Sequence, residues 1–310
     1  MLTIVFMGTP EFAVPALQAL HDHPFRILQV VTQPDRAKGR GRLPVAPPVK
    51  EKALALGYPV MQPVSLKADE VHHQLASLQP DFFVVVAYGH ILSGPLLALP
   101  RKGAINVHAS LLPKYRGPAP IHRAIIAGET ETGVTTMRMD TGLDTGDMLL
   151  SEKLVIEPDD TAQSLHDRLA PLGAALLIRT LEGLAAGNIA PVAQDHPNAT
   201  YAPLLKKAEG RMNWHLPALA LERFIRGMTP WPGAFTFYGN KRLKIYKAAA
   251  LPDTAFAAPG AVVRGFPDEL RVATGGGILS ILELQGESGK RMAVKDFLRG
   301  FKIDPGGIFG

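Results

Sequence analysis

The chain has 310 residues, 46% of them hydrophobic and 20% charged, which excludes wholesale disorder and suits two ordinary domains. Zero cysteine excludes disulfide scaffolds, thiolate metal sites, iron–sulfur clusters and thiol nucleophiles. The net charge of +5 sits at one end, since residues 1–207 carry 19 Lys+Arg against 19 Asp+Glu and residues 208–310 carry 14 against 9.

In chain order, LTIVFM, ILQVVT, the short YPVMQ, FFVVVAY and GAINVH read as strands buried on both faces. Helices are predicted between them over 11–21, about 45–56, 69–78 and 119–127. This alternation argues a parallel α/β sheet. GVTTMRM and DMLLSEKLVI read as a later strand pair, and a long helix runs from Thr161 to near Gly187, with Pro171 as a kink. From about 188 the texture turns Pro-, Ala- and Asn-rich, which reads as a linker. After a helix at 217–228 come GAFTFYG, RLKIYKAAAL, GAVVRG, ELRVATG and GILSILELQ, short strands at barrel-like spacing. No stretch reads as a membrane span or export signal, so a cytoplasmic protein without a membrane partner is expected.

Gly8-Thr9-Pro10 after the first strand could face a phosphate from a helix N-terminus, but the GxGxxG pattern is missing. Turn chemistry, with Thr9 as N-cap and Pro10 opening the helix, is the better account. Residues 34–50 place Arg36, Lys38, Arg40 and Arg42 among glycine and alanine with no acid between them. Such a run is expected as an irregular loop able to mould onto a phosphate backbone, against the plain alternative of a solubilising loop.

The sharpest constellation is Asn106-Val107-His108-Ala109-Ser110-Leu111-Leu112-Pro113, at the carboxyl end of a predicted parallel strand, where open α/β sheets bind ligands. Strand alternation puts Asn106 and His108 on one face. An amide donor beside an imidazole is what addition to a carbonyl needs: the amide can hold the oxyanion, and the ring can hydrogen-bond to it or move a proton. Gly142-Leu143-Asp144-Thr145-Gly146-Asp147 offers a carboxylate on a tight loop to orient that ring. It lacks the acidic ladder of a calcium loop, so no metal is expected.

MGTPEFA, TQPDR followed by GRG, AYG-x-IL, NVHASLLPKYRGPAPI and GLDTGDM, then YAPLLKKAEGRMNW and TPWPGAFT, make the chain resemble the 10-formyltetrahydrofolate-dependent formyltransferases over nearly its full length. The resemblance implies a Rossmann-like catalytic domain over 1–189, a linker over 190–207 and a C-terminal OB-like β-barrel over 208–310. It implies an enzyme that transfers the formyl group of 10-formyltetrahydrofolate to the free α-amine of initiator methionyl-tRNA, and a monomer is expected. Asn106, His108 and Asp144 then fall on the family's catalytic trio. Ser110, Leu111, Leu112 and Pro113, with Tyr88 and Gly89, fall on its folate site. Its tRNA loop falls on about 35–43, with Arg40 as the arginine of GRG. Departing from the family pattern, His90 stands where an aliphatic residue is expected in AYG-x-IL.

Lys206, Lys207 and the run Lys241, Arg242, Lys244 and Lys247 carry a separate expectation of tRNA contact, against an ordinary solvated strand edge. The rival enzymes are formyltransferases for a small amine, such as a glycinamide ribonucleotide or a nucleotide-linked amino sugar, or a hydrolase passing the formyl group to water. A non-catalytic RNA-binding adaptor is the rival from another class.

Overall fold

The computed structural model describes residues 1–38, 43–252, 257–263 and 268–310, and of Lys38 and Leu43 the backbone only. It divides into two compact units. The first comprises residues 1–120, 131–155 and 166–203, and the second 121–130, 156–165 and 204–310.

The first unit opens with β1 (Thr3–Gly8), α1 (Val14–Asp22), β2 (Arg26–Val31), the hairpin strands β3 (Arg36–Lys38) and β4 (Leu43–Val45), and α2 (Pro48–Ala55). It continues with β5 (Val60–Met61), α3 (Asp69–Ser77), β6 (Phe82–Val86), α4 (Gly94–Leu97) and β7 (Ala104–His108). After α5 (Pro120–Ala127), which from residue 121 belongs to the second unit, come β8 (Glu131–Arg138), β9 (Met148–Val155) and the long α6 (Ala162–Ala185), which enters the first unit at residue 166.

Seven strands form one sheet in the order β5-β2-β1-β6-β7-β8-β9. The first five are parallel, and β8 and β9 run antiparallel. This is the Rossmann-like α/β layout that unbroken apolar runs predict. Ile4 to Met7 and Phe82 to Val86 are at most 5% exposed, and each such side chain stabilises by about 1.5–3 kcal/mol. Gly173 lets α6 approach the sheet: a Cβ there would stand 3.0 Å from Val107 and 3.4 Å from Val134. Val107 points opposite to Asn106 and His108, so α6 covers one face and leaves these two polar side chains on the other.

Several local expectations change. Arg36–Lys38 and Leu43–Val45 pair as antiparallel strands, so this part of the basic segment is a hairpin, and α2 begins only at Pro48. Pro44 tolerates the strand because a two-stranded hairpin is all edge. Thr9 does not cap a helix: its hydroxyl donates to the Tyr88 carbonyl at 3.0 Å, and a short 3₁₀ turn at Glu11–Ala13 precedes α1. Pro171 lies inside a continuous α6. Thr161 does cap that helix: its hydroxyl accepts the Ser164 amide at 3.2 Å, while Ser164 Oγ accepts the Thr161 amide at 2.9 Å.

The second unit carries α7 (Ala218–Met228) and an antiparallel sheet in the order β10 (Ala234–Tyr238), β11 (Lys241–Leu251), β13 (Ile278–Gln285), β12 (Leu270–Ala273), with β14 (Met292–Ala293) beside β13 and α8 (Val294–Leu298) after it. The sheet curls into a barrel. GAVVRG, expected as a strand, supplies isolated bridges at Ala261 and Val262, while Arg264 and Gly265 lie outside the described residues. Val262 bridges Val272, Ala261 bridges Ile308, and Tyr238 bridges Phe309, so the ring passes from β12 back to β10. No helix among the described residues is long and apolar enough to cross a membrane.

Asp81 ties β1 to β6. Its Oδ2 accepts the Thr3 amide and hydroxyl, both at 2.9 Å, and Arg101 stands 3.4 Å from Oδ1. Burial pushes this carboxyl up, but Thr3, Arg101 and Lys102 outweigh burial and hold it below the usual carboxylate value. The stability it contributes is present above the unfolded value of about 3.9 and is lost as pH falls through the lower folded value. Asp81→Asn should therefore melt below wild type at neutral pH, with the gap closing on acidification, as read by thermal melts across pH.

Candidate active site

β7 ends in the sequence Asn106-Val107-His108, and both polar side chains point the same way, as the alternation requires. Both are nearly buried, at 9% and 6% exposure, so their partners are fixed rather than averaged by water. Asn106 Nδ2 donates to Asp144 Oδ1 at 3.3 Å, and His108 Nδ1 lies 3.7 Å from Asp144 Oδ2. Residues 38 positions apart in sequence are thus brought together.

The loop after β7 completes the arrangement. The Tyr115 carbonyl stands 2.9 Å from His108 Nε2, and the Gly117 amide donates to Asp144 Oδ2 at 2.8 Å. A carbonyl only accepts, so Nε2 carries the hydrogen and Nδ1 is left as the nitrogen facing the carboxylate. The ring can take a proton there beside an anion. Asn106 keeps a second N–H free of Asp144, since its Nδ2 carries two hydrogens.

Asp144 itself makes the tight turn expected of its flanking glycines: its φ is +53°, a left-handed value rare outside glycine. Asp140 braces the loop by accepting from the Gly142 amide at 3.0 Å and the Thr145 hydroxyl at 2.7 Å. Gln194 Nε2 donates to the carbonyls of Asp144 at 2.9 Å and Gly146 at 2.7 Å.

Ser110, Leu111, Leu112 and Pro113 continue directly from the strand end. The Ser110 hydroxyl donates to the Lys114 carbonyl at 2.6 Å, and its carbonyl accepts the Thr135 hydroxyl at 2.7 Å. The Leu112 amide donates back to that hydroxyl at 3.2 Å, which makes the turn rigid. Tyr88 is buried at the end of β6. Its carbonyl accepts Thr9 Oγ1 and Gln33 Nε2, and burial pushes its phenol up to about 12. The Gln33 side chain lies against Gly89, whose φ is +83°.

The basic residues are dispersed. Arg36 is exposed on β3 and hydrogen-bonded to Gln33, whereas Arg40, Arg42 and the side chain of Lys38 lie outside the described residues. Lys206 and Lys207 are exposed beside a 3₁₀ turn, where Glu209 accepts the Lys206 amide at 2.8 Å and Arg123 at 2.7 Å. Those contacts, the Arg123 hydrogen bond first, hold the Glu209 carboxyl low against its partial burial. On β11, Leu243 and Ile245 are buried, so Arg242 and Lys244 share the opposite face while Lys241 is exposed on the parity of the buried residues, and Lys247 is exposed beyond a register shift, opposite Glu283. Arg242 stacks 3.7 Å above the Phe235 ring and Lys241 lies 4.9 Å from that of Phe301. Among the described residues no cluster of three or more His, Asp or Glu could hold a metal ion.

The pattern of the formyl transferase family matches residues 2–181, and that of the formyl transferase C-terminal domain matches residues 204–302. The chain belongs to the formyl transferases. A relative from Geotalea uraniireducens (strain Rf4), named methionyl-tRNA formyltransferase, is 51% identical over 309 residues, covering 100% of this chain and 98% of its own. One of the same name from Caldanaerobacter subterraneus subsp. tengcongensis is 51% identical over 99% of each chain. Among solved structures, an N-formyltransferase from Helicobacter canadensis, in complex with folinic acid and dTDP-3-aminofucose, superposes on this formyl transferase with a TM-score of 0.70 at 17% identity, over 94% of this chain and all of that one. At that identity the likeness is one of fold.

Sequence reasoning missed the groups that hold the trio: the Tyr115 carbonyl, the Gly117 amide and the Gln194 side chain. Gly117 alone left a signal, as the one glycine inside KYRGPAPI. Its φ is +108°, and a Cβ there would stand 2.9 Å from the Ala202 carbonyl. Gly117→Ala should cost about 1–3 kcal/mol in chemical denaturation from backbone strain, more with the clash. Turnover should fall further than the stability loss explains, because the same amide holds Asp144.

Proposed function

We propose that this formyl transferase moves the formyl group of 10-formyltetrahydrofolate onto the free α-amine of initiator methionyl-tRNA, giving N-formylmethionyl-tRNA for translation initiation. The observation that carries this reading is full-length identity of about half to relatives of that name, combined with the convergence of Asn106, His108 and Asp144. The donor set suits such a substrate. A formyl oxygen needs an N–H donor, which Asn106 has, and a flat folate ring needs apolar walls with polar edges. Leu111, Leu112, Pro113, Ser110 and the Tyr88-Gly89 strand end supply residues of both kinds.

The amine nitrogen attacks the formyl carbon and the carbonyl electrons pass to oxygen. Asn106 donates its second N–H to that oxygen and stabilises its charge, an interaction worth more in a water-poor site than in solvent, and His108 joins it as a donor once its Nδ1 has gained a proton. The attacking amine loses a proton to His108 Nδ1, with Asp144 orienting the ring and balancing its charge. Collapse expels the folate nitrogen, which takes up a proton, and the formyl–nitrogen bond remains. The lone pair must be free for attack, so the rate should rise with pH through the pKa of the amine.

Asn106→Ala and His108→Ala should each lower kcat about a hundred- to a thousand-fold, measured by release of tetrahydrofolate. Retention of more than about a tenth of wild-type turnover by either would remove that residue from this role. The tRNA part rests on the basic second unit and the segment near Arg36, including Arg40 and Arg42, with Lys38, Lys206, Lys207, Lys241, Arg242, Lys244 and Lys247 as candidate contacts. If they track a phosphate backbone, apparent affinity should fall linearly on a log–log plot against salt. The deciding experiment compares labelled formyl transfer to charged initiator tRNA and to charged elongator methionine tRNA. Transfer to the initiator alone is expected, and equal rates would remove the specificity.

A further inference from the structure

Arg116 is a fully buried arginine, at 2% exposure, and no step of the reaction uses it. Its partners are neutral. Nε and Nη2 both donate to Gln194 Oε1, at 3.0 and 2.7 Å, and Nη2 meets His196 Nδ1 at 3.0 Å. A carboxylate is the ordinary companion of a buried guanidinium, with its flat fork of donors. The amide differs in having two ends: one accepts and the other donates.

Both ends are used. Oε1 accepts from Arg116 while Nε2 donates to the carbonyls of Asp144 at 2.9 Å and Gly146 at 2.7 Å. A guanidinium has no acceptor, so it dictates which end of the amide faces it and which faces the loop. Asp144 needs such a hold, because a φ of +53° is strained for a side-chain-bearing residue and persists only when its surroundings insist on it. The backbone of Arg116 is placed independently of its side chain: its amide donates to the Thr200 carbonyl at 2.8 Å and its carbonyl accepts the Ala202 amide at 2.7 Å. Its neighbours are Tyr115 and Gly117, whose carbonyl and amide reach His108 and Asp144.

We propose that Arg116 and Gln194 are positioning residues for formyl transfer: the arginine orients the Gln194 amide, and the amide clamps the Asp144–Gly146 backbone so that the Asp144 carboxylate stays against His108. The inference rests on the proposed reaction for its kinetic readout and on the loop alone for its second readout.

Gln194→Glu is the discriminating variant. It keeps an acceptor for Arg116, and gains an ion pair with it, but has no hydrogens for the two loop carbonyls. The melting temperature should hold or rise. kcat should nevertheless fall about ten- to a hundred-fold, the usual consequence of misplacing a reacting group, while KM for the folate donor stays within about two-fold. Amide exchange over residues 140–147 should speed up in the same variant. Arg116→Lys should keep most of the turnover, since an ammonium also only donates, and Arg116→Met should lose it by freeing the amide to turn. Should the acid variant fail to fold, Gln194→Met, of similar length without either donor, takes its place in the same comparison. A variant at Gln194 with kcat within about two-fold of wild type, or one that loses turnover with loop exchange unchanged, overturns the proposal. If the wild-type chain transfers no formyl group, the proposed reaction fails, and the exchange arm still decides whether Gln194 holds the loop.

Discussion

One carboxylate organises the first unit's chemistry. Asp144 accepts from the Asn106 amide and the Gly117 backbone and faces His108, so the end of β7 and the loop that follows it are referred to a single pair of oxygens from a distant stretch of chain. The constraint works because the carboxylate is not free to relax. Its backbone sits in a left-handed turn, its carbonyl is held by Gln194, and the loop before it is braced by Asp140. A preorganised anion of this kind needs little rearrangement when charge develops beside it. The parallel sheet supplies the frame: β7 delivers Asn106 and His108 on one face, while Val107 anchors the other under α6 at Gly173.

The parts of the fold that could be read in the sequence are those governed by local period. Unbroken apolar runs announced the parallel strands, and Asn106 and His108 could be paired from alternation alone. Asp144 was reachable because glycines flank it, although the turn is made by the aspartate itself, since its own φ is positive. What escaped was non-local. Gln194 lies in a stretch whose Pro-, Ala- and Asn-rich texture reads as linker, yet that stretch pairs with the site's own loop, through Tyr201 bridging Arg116 and the Thr200 hydroxyl accepting the Tyr115 amide at 2.8 Å. A polar side chain with no periodic pattern around it leaves no mark until its partners are known. The hairpin at Arg36–Lys38 and Leu43–Val45 escaped for a related reason: dense like charge argued against regular structure, but exposed edge strands tolerate it.

The second unit handles its cations by another rule. Arg242 and Lys241 lie over aromatic rings, so their stems pack against apolar surface with their charges held close to it. Strand alternation sets Lys241 on the opposite face from Arg242 and Lys244, and a register shift separates Lys247 from all three, which a count along the sequence cannot show.

The ring of that unit is not uniform. β11 and β13 share a long ladder, from Lys244 opposite Gln285 to Leu251 opposite Ile278, whereas the return from β12 to β10 runs through single bridges at Ala261, Val262, Ile308 and Phe309. Among the described residues those bridges rest on separate backbone bonds, such as Val262 to Gly307 and Phe237 to Gly310, at 2.8 and 2.9 Å, rather than on a continuous ladder. A curled sheet whose edges meet only through isolated bridges behaves as a clasp. Thermal opening begins where the fewest bonds must break together, so the barrel can part at the seam while the β11–β13 ladder stays whole.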